Sequence, residues 1–86
     1  MPEPFELVSK GLELVEEKKF SEAEQYILKG IKTYEKQKDR EGVTFALGRL
    51  GYCYEQSGEV GKAREAYEEA VQIGTDIPAI YYGLIS

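Results

Sequence analysis

The candidate nucleophile of this chain is a single cysteine thiol. Cys53 is the one cysteine among 86 residues, and it lies between Tyr52 and Tyr54. A nucleophilic thiol needs a neighbouring base or cation that favours the thiolate. The sequence contains no histidine, which is the most common general base and metal ligand. We therefore interpret Cys53 as a packed side chain and not as a nucleophile.

The carboxylates and the glycine-lysine motif of this chain are not arranged as catalysis or phosphate binding would require. The carboxylate pairs Glu16-Glu17 and Glu68-Glu69 are sequence neighbours on exposed helix faces and do not converge in a pocket. The motif Gly58-x-x-Gly61-Lys62 lacks the full spacing of a phosphate-binding loop and the strand that precedes one, so it indicates a turn. The sequence predicts no catalytic residue, no cofactor, no metal site and no enzyme activity.

Size and charge exclude further classes of partner. Charged residues make up 31% of the chain and hydrophobic ones 42%, which is typical of a soluble globular domain. The formal charge of −5 repels phosphate backbones and anionic lipid, so we expect neither nucleic acid nor membrane binding. A single cysteine cannot form a disulfide within the chain, which suits a reducing compartment. The first residues do not have the pattern of a signal peptide. A cytoplasmic location is the expectation.

Helical spacing of apolar residues begins near the N-terminus. Phe5, Val8, Leu12 and Val15 follow the i, i+3, i+7, i+10 pattern of one helix face, and this apolar stripe is wide enough to be contacted on two sides. Ser21-x-x-Glu24 has the form of a capping box and predicts the beginning of a second helix.

Glycines divide the remainder of the chain. Gly42 is the expected break before a third helix, Gly58 the turn before a fourth, and Gly74 its end. Pro78 then suits the first turn of a short apolar helix that runs to residue 86. No alternation long enough for a strand occurs, so the sequence predicts an all-α fold with about five helices.

The chain repeats itself. At a shift of forty residues, seven positions of the same size class coincide, which is more than chance alignment of this length would give. Small residues recur where two antiparallel helices would approach closely. At a shift of thirty-four, the last nine residues resemble the start of another unit. The seven pairs are Leu7/Leu47, Gly11/Gly51, Leu14/Tyr54, Ala23/Ala63, Ile27/Tyr67, Gly30/Ala70 and Ile31/Val71.

The second unit resembles the tetratricopeptide repeat. Leu47-x-x-Leu50-Gly51-x-x-Tyr54 followed by Ala63-x-x-x-Tyr67-x-x-Ala70 is similar to that family's pattern, with Leu47 in place of the usual tryptophan. Lys18 departs from it by occupying the position of a turn glycine. The resemblance implies one domain over 1–86 built of antiparallel helix-turn-helix repeats: 4–39, 42–77, and a terminal helix or truncated third repeat over 78–86.

The resemblance also implies a binding surface. In the family, the first helix of each repeat lines a concave groove for a protein segment or peptide. Two alternatives remain open for Phe5 and Val8, which either face this groove or pack in the core, whereas tyrosines at positions 52 and 82 suit an interface better. The family's carboxylate clamp is missing, so an acidic C-terminal tail is not the expected ligand. By position, the groove residues are Phe5, Val8, Leu12, Val15, Phe45, Arg49, Tyr52, Glu55, Gln56 and Tyr82.

The sequence thus predicts a non-catalytic protein- or peptide-binding scaffold. The alternative is a structural module that self-associates through its apolar C-terminal helix, because a repeat array normally ends in a helix with a polar outer face. The residues of that homo-oligomer interface would be Ile80, Tyr81, Leu84 and Ile85.

Overall fold

Four helices follow one another with three-residue turns between them. The computed structural model describes residues 2–74. No strand occurs among these residues, so the all-α prediction is confirmed for this part of the chain, with four helices described rather than about five. The expected fifth helix, over 78–86, lies outside the described residues. The helices are α1 (Pro4–Glu16), α2 (Phe20–Lys36), α3 (Arg40–Gln56) and α4 (Val60–Gly74).

The three turns share one geometry at intervals of twenty residues. Lys18, Lys38 and Gly58 all have positive φ angles, of 63°, 55° and 87°. In each turn, this residue's amide donates to the carbonyl three residues back, and the next amide donates to the carbonyl five residues back. These are the two bonds of a Schellman helix end. Only Gly58 adopts the left-handed conformation without a steric penalty from Cβ.

The beginning of α2 differs from the prediction. Helix α2 begins at Phe20, after Lys19, and has no side-chain cap, so the predicted capping box of Ser21 and Glu24 is wrong. The turn at Lys18 already brings the chain into the helix at Phe20, which places Ser21 inside the first turn. The Glu24 carboxylate instead accepts a hydrogen bond of 2.6 Å from the Tyr54 hydroxyl.

The beginning of α3 shows how Gly42 is used. Asp39 caps the helix by accepting a 2.9 Å hydrogen bond from the Gly42 amide. Helix α3 starts at Arg40, two residues before the expected break. Gly42 therefore lies inside the first turn, where any Cβ would collide with the ring of Tyr34 on α2. The glycine permits close packing of the two helices and does not interrupt one.

Small residues bring the helices of each hairpin into contact. A Cβ added to Gly11 would lie 2.5 Å from Cγ1 of Ile27, and one added to Gly51 would lie 2.7 Å from Cε1 of Tyr67. Gly51 follows Gly11 by forty residues, and Tyr67 follows Ile27 by the same number. The α1–α2 and α3–α4 hairpins therefore close through the same contact, as the internal repeat predicts.

A continuous core joins the two hairpins. Helices α2 and α3 are antiparallel: Tyr34 near the end of α2 meets Gly42, and the Cys53 thiol near the end of α3 donates to the Phe20 carbonyl at 3.8 Å. Helices α1 and α3 lie side by side and run in the same direction. The buried residues of the core cluster are Val8, Leu14, Val15, Ala23, Ile27, Ile31, Tyr34, Val43, Ala46, Leu47, Leu50, Cys53, Ala66 and Ala70.

Candidate functional site

A groove of about 430 Å³ runs between α1 and α3. The forty-residue shift places Leu12 opposite Tyr52 and Phe5 opposite Phe45, so equivalent positions of the two repeats form its two walls. A smaller cavity of about 290 Å³ adjoins it beyond Tyr52 and extends to Gln56. The residues lining the main groove are Ser9, Leu12, Glu13 and Glu16 from α1 with Arg49 and Tyr52 from α3.

An aromatic stack lies where the two helices begin. The rings of Phe5 and Phe45 are 5.8 Å apart between centroids and inclined by 19°. The Arg49 guanidinium carbon lies 5.0 Å from the centroid of the Phe45 ring, in a cation–π contact. Phe5 is 59% exposed. The stack thus presents apolar area and a cationic group at the surface.

A hydrogen bond joins the two helices at the other end of the groove. The Tyr52 hydroxyl donates to Oε1 of Glu16 at 3.3 Å. The negative charge of Glu16, with some desolvation, raises the pKa of Tyr52 above its usual value. The phenol is a protonated donor at neutral pH, and its ring is half-buried.

The structure brings together five of the residues expected in the groove, namely Phe5, Leu12, Phe45, Arg49 and Tyr52. Val8 and Val15 are not among the residues that line the main groove: Val8 follows the core alternative, and Val15 lines only the smaller adjoining cavity. Both are buried, and Val8, which has no exposed surface, packs against Gly30 of α2. Helix α2 covers this side of α1, whereas Phe5 and Leu12 lie on the side left open.

Another expected residue within the described part of the chain does not line this groove. Glu55 accepts a hydrogen bond from the Tyr67 hydroxyl and is thereby directed towards α4. Tyr82 lies outside the described residues. Burial and the bond to Glu55 raise the pKa of Tyr67 to about 12. The Glu55–Tyr67 pair links the helices of the second hairpin.

Sequence reasoning missed the polar residues of α1 that line the groove. These are Ser9, Glu13 and Glu16. The signal was present, because the forty-residue shift places Ser9 at Arg49 and Glu16 at Gln56, both of which were assigned to the groove. Matching only apolar and small residues left this correspondence unused.

Cys53 has the properties of a packed thiol. It is 1% exposed, and burial raises its pKa, which disfavours the nucleophilic thiolate.

Among residues 2–74, no three histidine, cysteine or acidic side chains are grouped as metal ligation would require. In the same part of the chain, no helix combines the length and apolar character needed to cross a membrane.

Two antiparallel hairpins that repeat the same contacts define this as a helical-repeat protein. The family model of the tetratricopeptide repeat matches residues 44–76, which include α4 and most of α3. Residues 44–76 therefore match the tetratricopeptide repeat, and the resemblance seen in the sequence is confirmed there. Repeats of this family generally mediate protein–protein interaction and are generally non-catalytic. Neither a curated protein nor a solved structure matches the chain.

Proposed function

We propose that this protein is a non-catalytic scaffold that binds a protein segment or peptide in the α1–α3 groove. The observation that carries the proposal is the exposed stack of Phe5, Phe45 and Arg49 at the open edge of a groove lined by Leu12 and Tyr52. Aromatic and arginine side chains are the residue types that contribute most to binding at protein interfaces.

The geometry of the groove also lowers the cost of binding. The stack fixes the Phe45 ring and the Arg49 side chain, and the bond to Glu16 fixes the Tyr52 ring, before a partner arrives. A surface whose side chains are already ordered loses less conformational entropy when it binds. An amphipathic peptide would place its apolar side chains on this surface, as in other helix-in-groove complexes.

Peptide selection followed by mutation tests the proposal. The full chain is used to select binders from a displayed library of random peptides about twelve residues long, and the affinity of the selected peptides is measured by calorimetry. We expect Phe5→Ala and Tyr52→Ala each to weaken binding by about tenfold or more. Val71→Ala is the control, because Val71 is an exposed apolar residue on α4, outside the groove.

The proposal would be overturned by selected peptides that bind both groove variants as tightly as they bind the unaltered chain. A library that yields no binder sensitive to Tyr52→Ala would overturn it as well.

Self-association is a second candidate, favoured by an exposed apolar face of α4. Val60 and Val71 are 67% and 66% exposed. The forty-residue shift places them at Phe20 and Ile31, which pack into the core where α2 meets α3. Helix α4 thus has apolar residues where another helix would dock. The proposed interface comprises this face and the apolar residues Ile80, Tyr81, Leu84 and Ile85.

Sedimentation over a range of concentrations tests this second function. Self-association predicts a mass that rises with concentration, and a variant with Ile80→Asp and Leu84→Asp should remain monomeric. An unaltered chain that stays monomeric at high micromolar concentration would contradict it. We place either function in the cytoplasm, since the single buried Cys53 thiol suits a reducing compartment.

A further inference from the structure

We infer that the α1–α3 groove selects a peptide segment in which a basic side chain lies close to an apolar one. The apolar side chain would lie on Leu12 and Tyr52, and the basic side chain would extend to Glu13 and Glu16. This inference rests on the proposed function, because it specifies the chemistry of the partner that the same groove binds.

The carboxylates of the groove retain capacity for a ligand. Glu16 uses Oε1 to accept from Tyr52, which leaves Oε2 without a hydrogen-bond donor among residues 2–74. In the same part of the chain, the Glu13 side chain has neither a hydrogen bond nor an ion pair. Both residues are exposed and line the cavity. Both carboxylates thus have oxygens available to a ligand on the α1 side of the groove.

The one basic side chain that lines the described groove does not neutralise them. Arg49 is positioned over the Phe45 ring, and it forms no ion pair with Glu13 or Glu16. Lys18 lines only the smaller adjoining cavity, which it shares with Glu16. Two carboxylates and one guanidinium line the main groove, so its lining has a net negative potential, on a chain whose formal charge is already −5. Such a potential attracts cationic peptides and repels acidic ones.

The order of groups along the groove sets the spacing within the peptide. Leu12 and Glu16 are one helical turn apart on α1, which is about 6 Å. A helical peptide would span this distance with residues three or four apart, and an extended peptide with residues two apart. Lysine and arginine suit the site further, because their apolar stems would cover Tyr52 while the charged tip meets the carboxylates.

Designed peptide sets test this inference. Each synthetic probe is about twelve residues long and contains a central leucine or phenylalanine with lysine, glutamine or glutamate two to four residues away. We expect the lysine set to bind the full chain most tightly and to lose affinity as salt is added. Combining Glu13→Gln with Glu16→Gln should weaken the lysine set by roughly three- to tenfold and remove most of the salt dependence.

A matched control separates the effect of the groove carboxylates on peptide affinity from the effect of the net charge of the chain. The double variant Glu68→Gln and Glu69→Gln makes the same change in net charge on α4, away from the groove, and should leave the affinity for the lysine set unchanged. Reversing both groove charges, with Glu13→Lys and Glu16→Lys, should transfer the preference to the glutamate set. Circular dichroism of all the variants checks that the helices are retained.

The outcomes distinguish this inference from the proposed function. If Tyr52→Ala weakens binding but the three peptide sets bind equally, the groove is used and the inference about basic partners is overturned. Equal losses for the groove and α4 carboxylate variants would overturn it too. If no peptide set responds to Tyr52→Ala, the proposed function itself fails.

Discussion

The Tyr52 hydroxyl donates a hydrogen bond to Glu16 across 3.3 Å, from the second half of α3 to the end of α1. The residues on either side of Tyr52 in the sequence do not face the groove. Gly51 is buried against Tyr67, and Cys53 is buried against α2. Helix α3 thus contributes its buried residues to the core and Tyr52, on another face, to the groove. Under the proposed function, packing and recognition would depend on different residues of the same helix.

Replacing Tyr52 should separate binding from stability. Because Tyr52 is half-buried and forms one exposed hydrogen bond, we expect Tyr52→Ala to lower the free energy of unfolding by only about 1 kcal/mol. Its effect on peptide affinity should be larger. Urea denaturation and calorimetry with a selected peptide provide the two values. A loss of stability above about 3 kcal/mol would show that Tyr52 belongs to the core.

Val8 and Phe5 should behave in opposite ways, although both fit the same apolar stripe. Val8 has no exposed surface, so Val8→Ala should cost about 1–3 kcal/mol of stability and leave the groove side chains in place. Phe5 is 59% exposed, so Phe5→Ala should cost less than about 1 kcal/mol and weaken peptide binding. Equal effects of the two substitutions on unfolding would contradict this division.

Two glycines of α3 form a matched pair. Gly51→Ala should destabilise the fold by about 1–3 kcal/mol, because its Cβ would lie 2.7 Å from the Tyr67 ring, and Gly51→Leu should destabilise it further. A Cβ at Gly48 meets nothing within 4 Å, so Gly48→Ala should stabilise the helix by up to about 1 kcal/mol. Denaturant midpoints measure both. A stabilising Gly51→Ala would argue against this close contact.

The bond between Tyr67 and Glu55 predicts sensitivity to alkali. The pKa of Tyr67 is raised from 10.0 to about 12. Any stability linked to this shift is fully present below pH 10.0 and is lost as the pH rises towards 12, because the unfolded chain releases the phenolic proton first. The unaltered chain should therefore lose more stability than Tyr67→Phe between about pH 9 and pH 11.5. Equal losses in urea denaturation at the two pH values would contradict the prediction.

Much of the helix arrangement could be predicted from the sequence because the signals are local. Gly58 marked a turn through its tolerance of positive φ, and the small residues at 11 and 51 marked close helix contacts. The turn at Lys38 could not be recognised in the same way, since lysine seldom adopts positive φ. Its position follows only from its place halfway between Lys18 and Gly58, twenty residues from each.

The candidate site was predicted in part. Apolar periodicity places Phe5 and Val8 on one wide stripe of α1, but it does not specify which edge α2 covers. That depends on tertiary packing, in which Val8 fills the space beside Gly30. Similarly, Ser21-x-x-Glu24 fitted a capping box, but Tyr54, thirty residues later, binds the Glu24 carboxylate. Contacts distant in sequence decided both positions.

Amide chemical-shift mapping tests the central claim most directly. The full chain, labelled with ¹⁵N, is titrated with a peptide selected as described above. Binding in the groove predicts that the largest shifts occur in α1 and α3, at Ser9, Leu12, Phe45, Arg49 and Tyr52. A different result would contradict the claim that this protein recognises its partner between α1 and α3. In that result, the groove residues are unchanged and the largest shifts occur on α4, at Val60, Val71 and their neighbours.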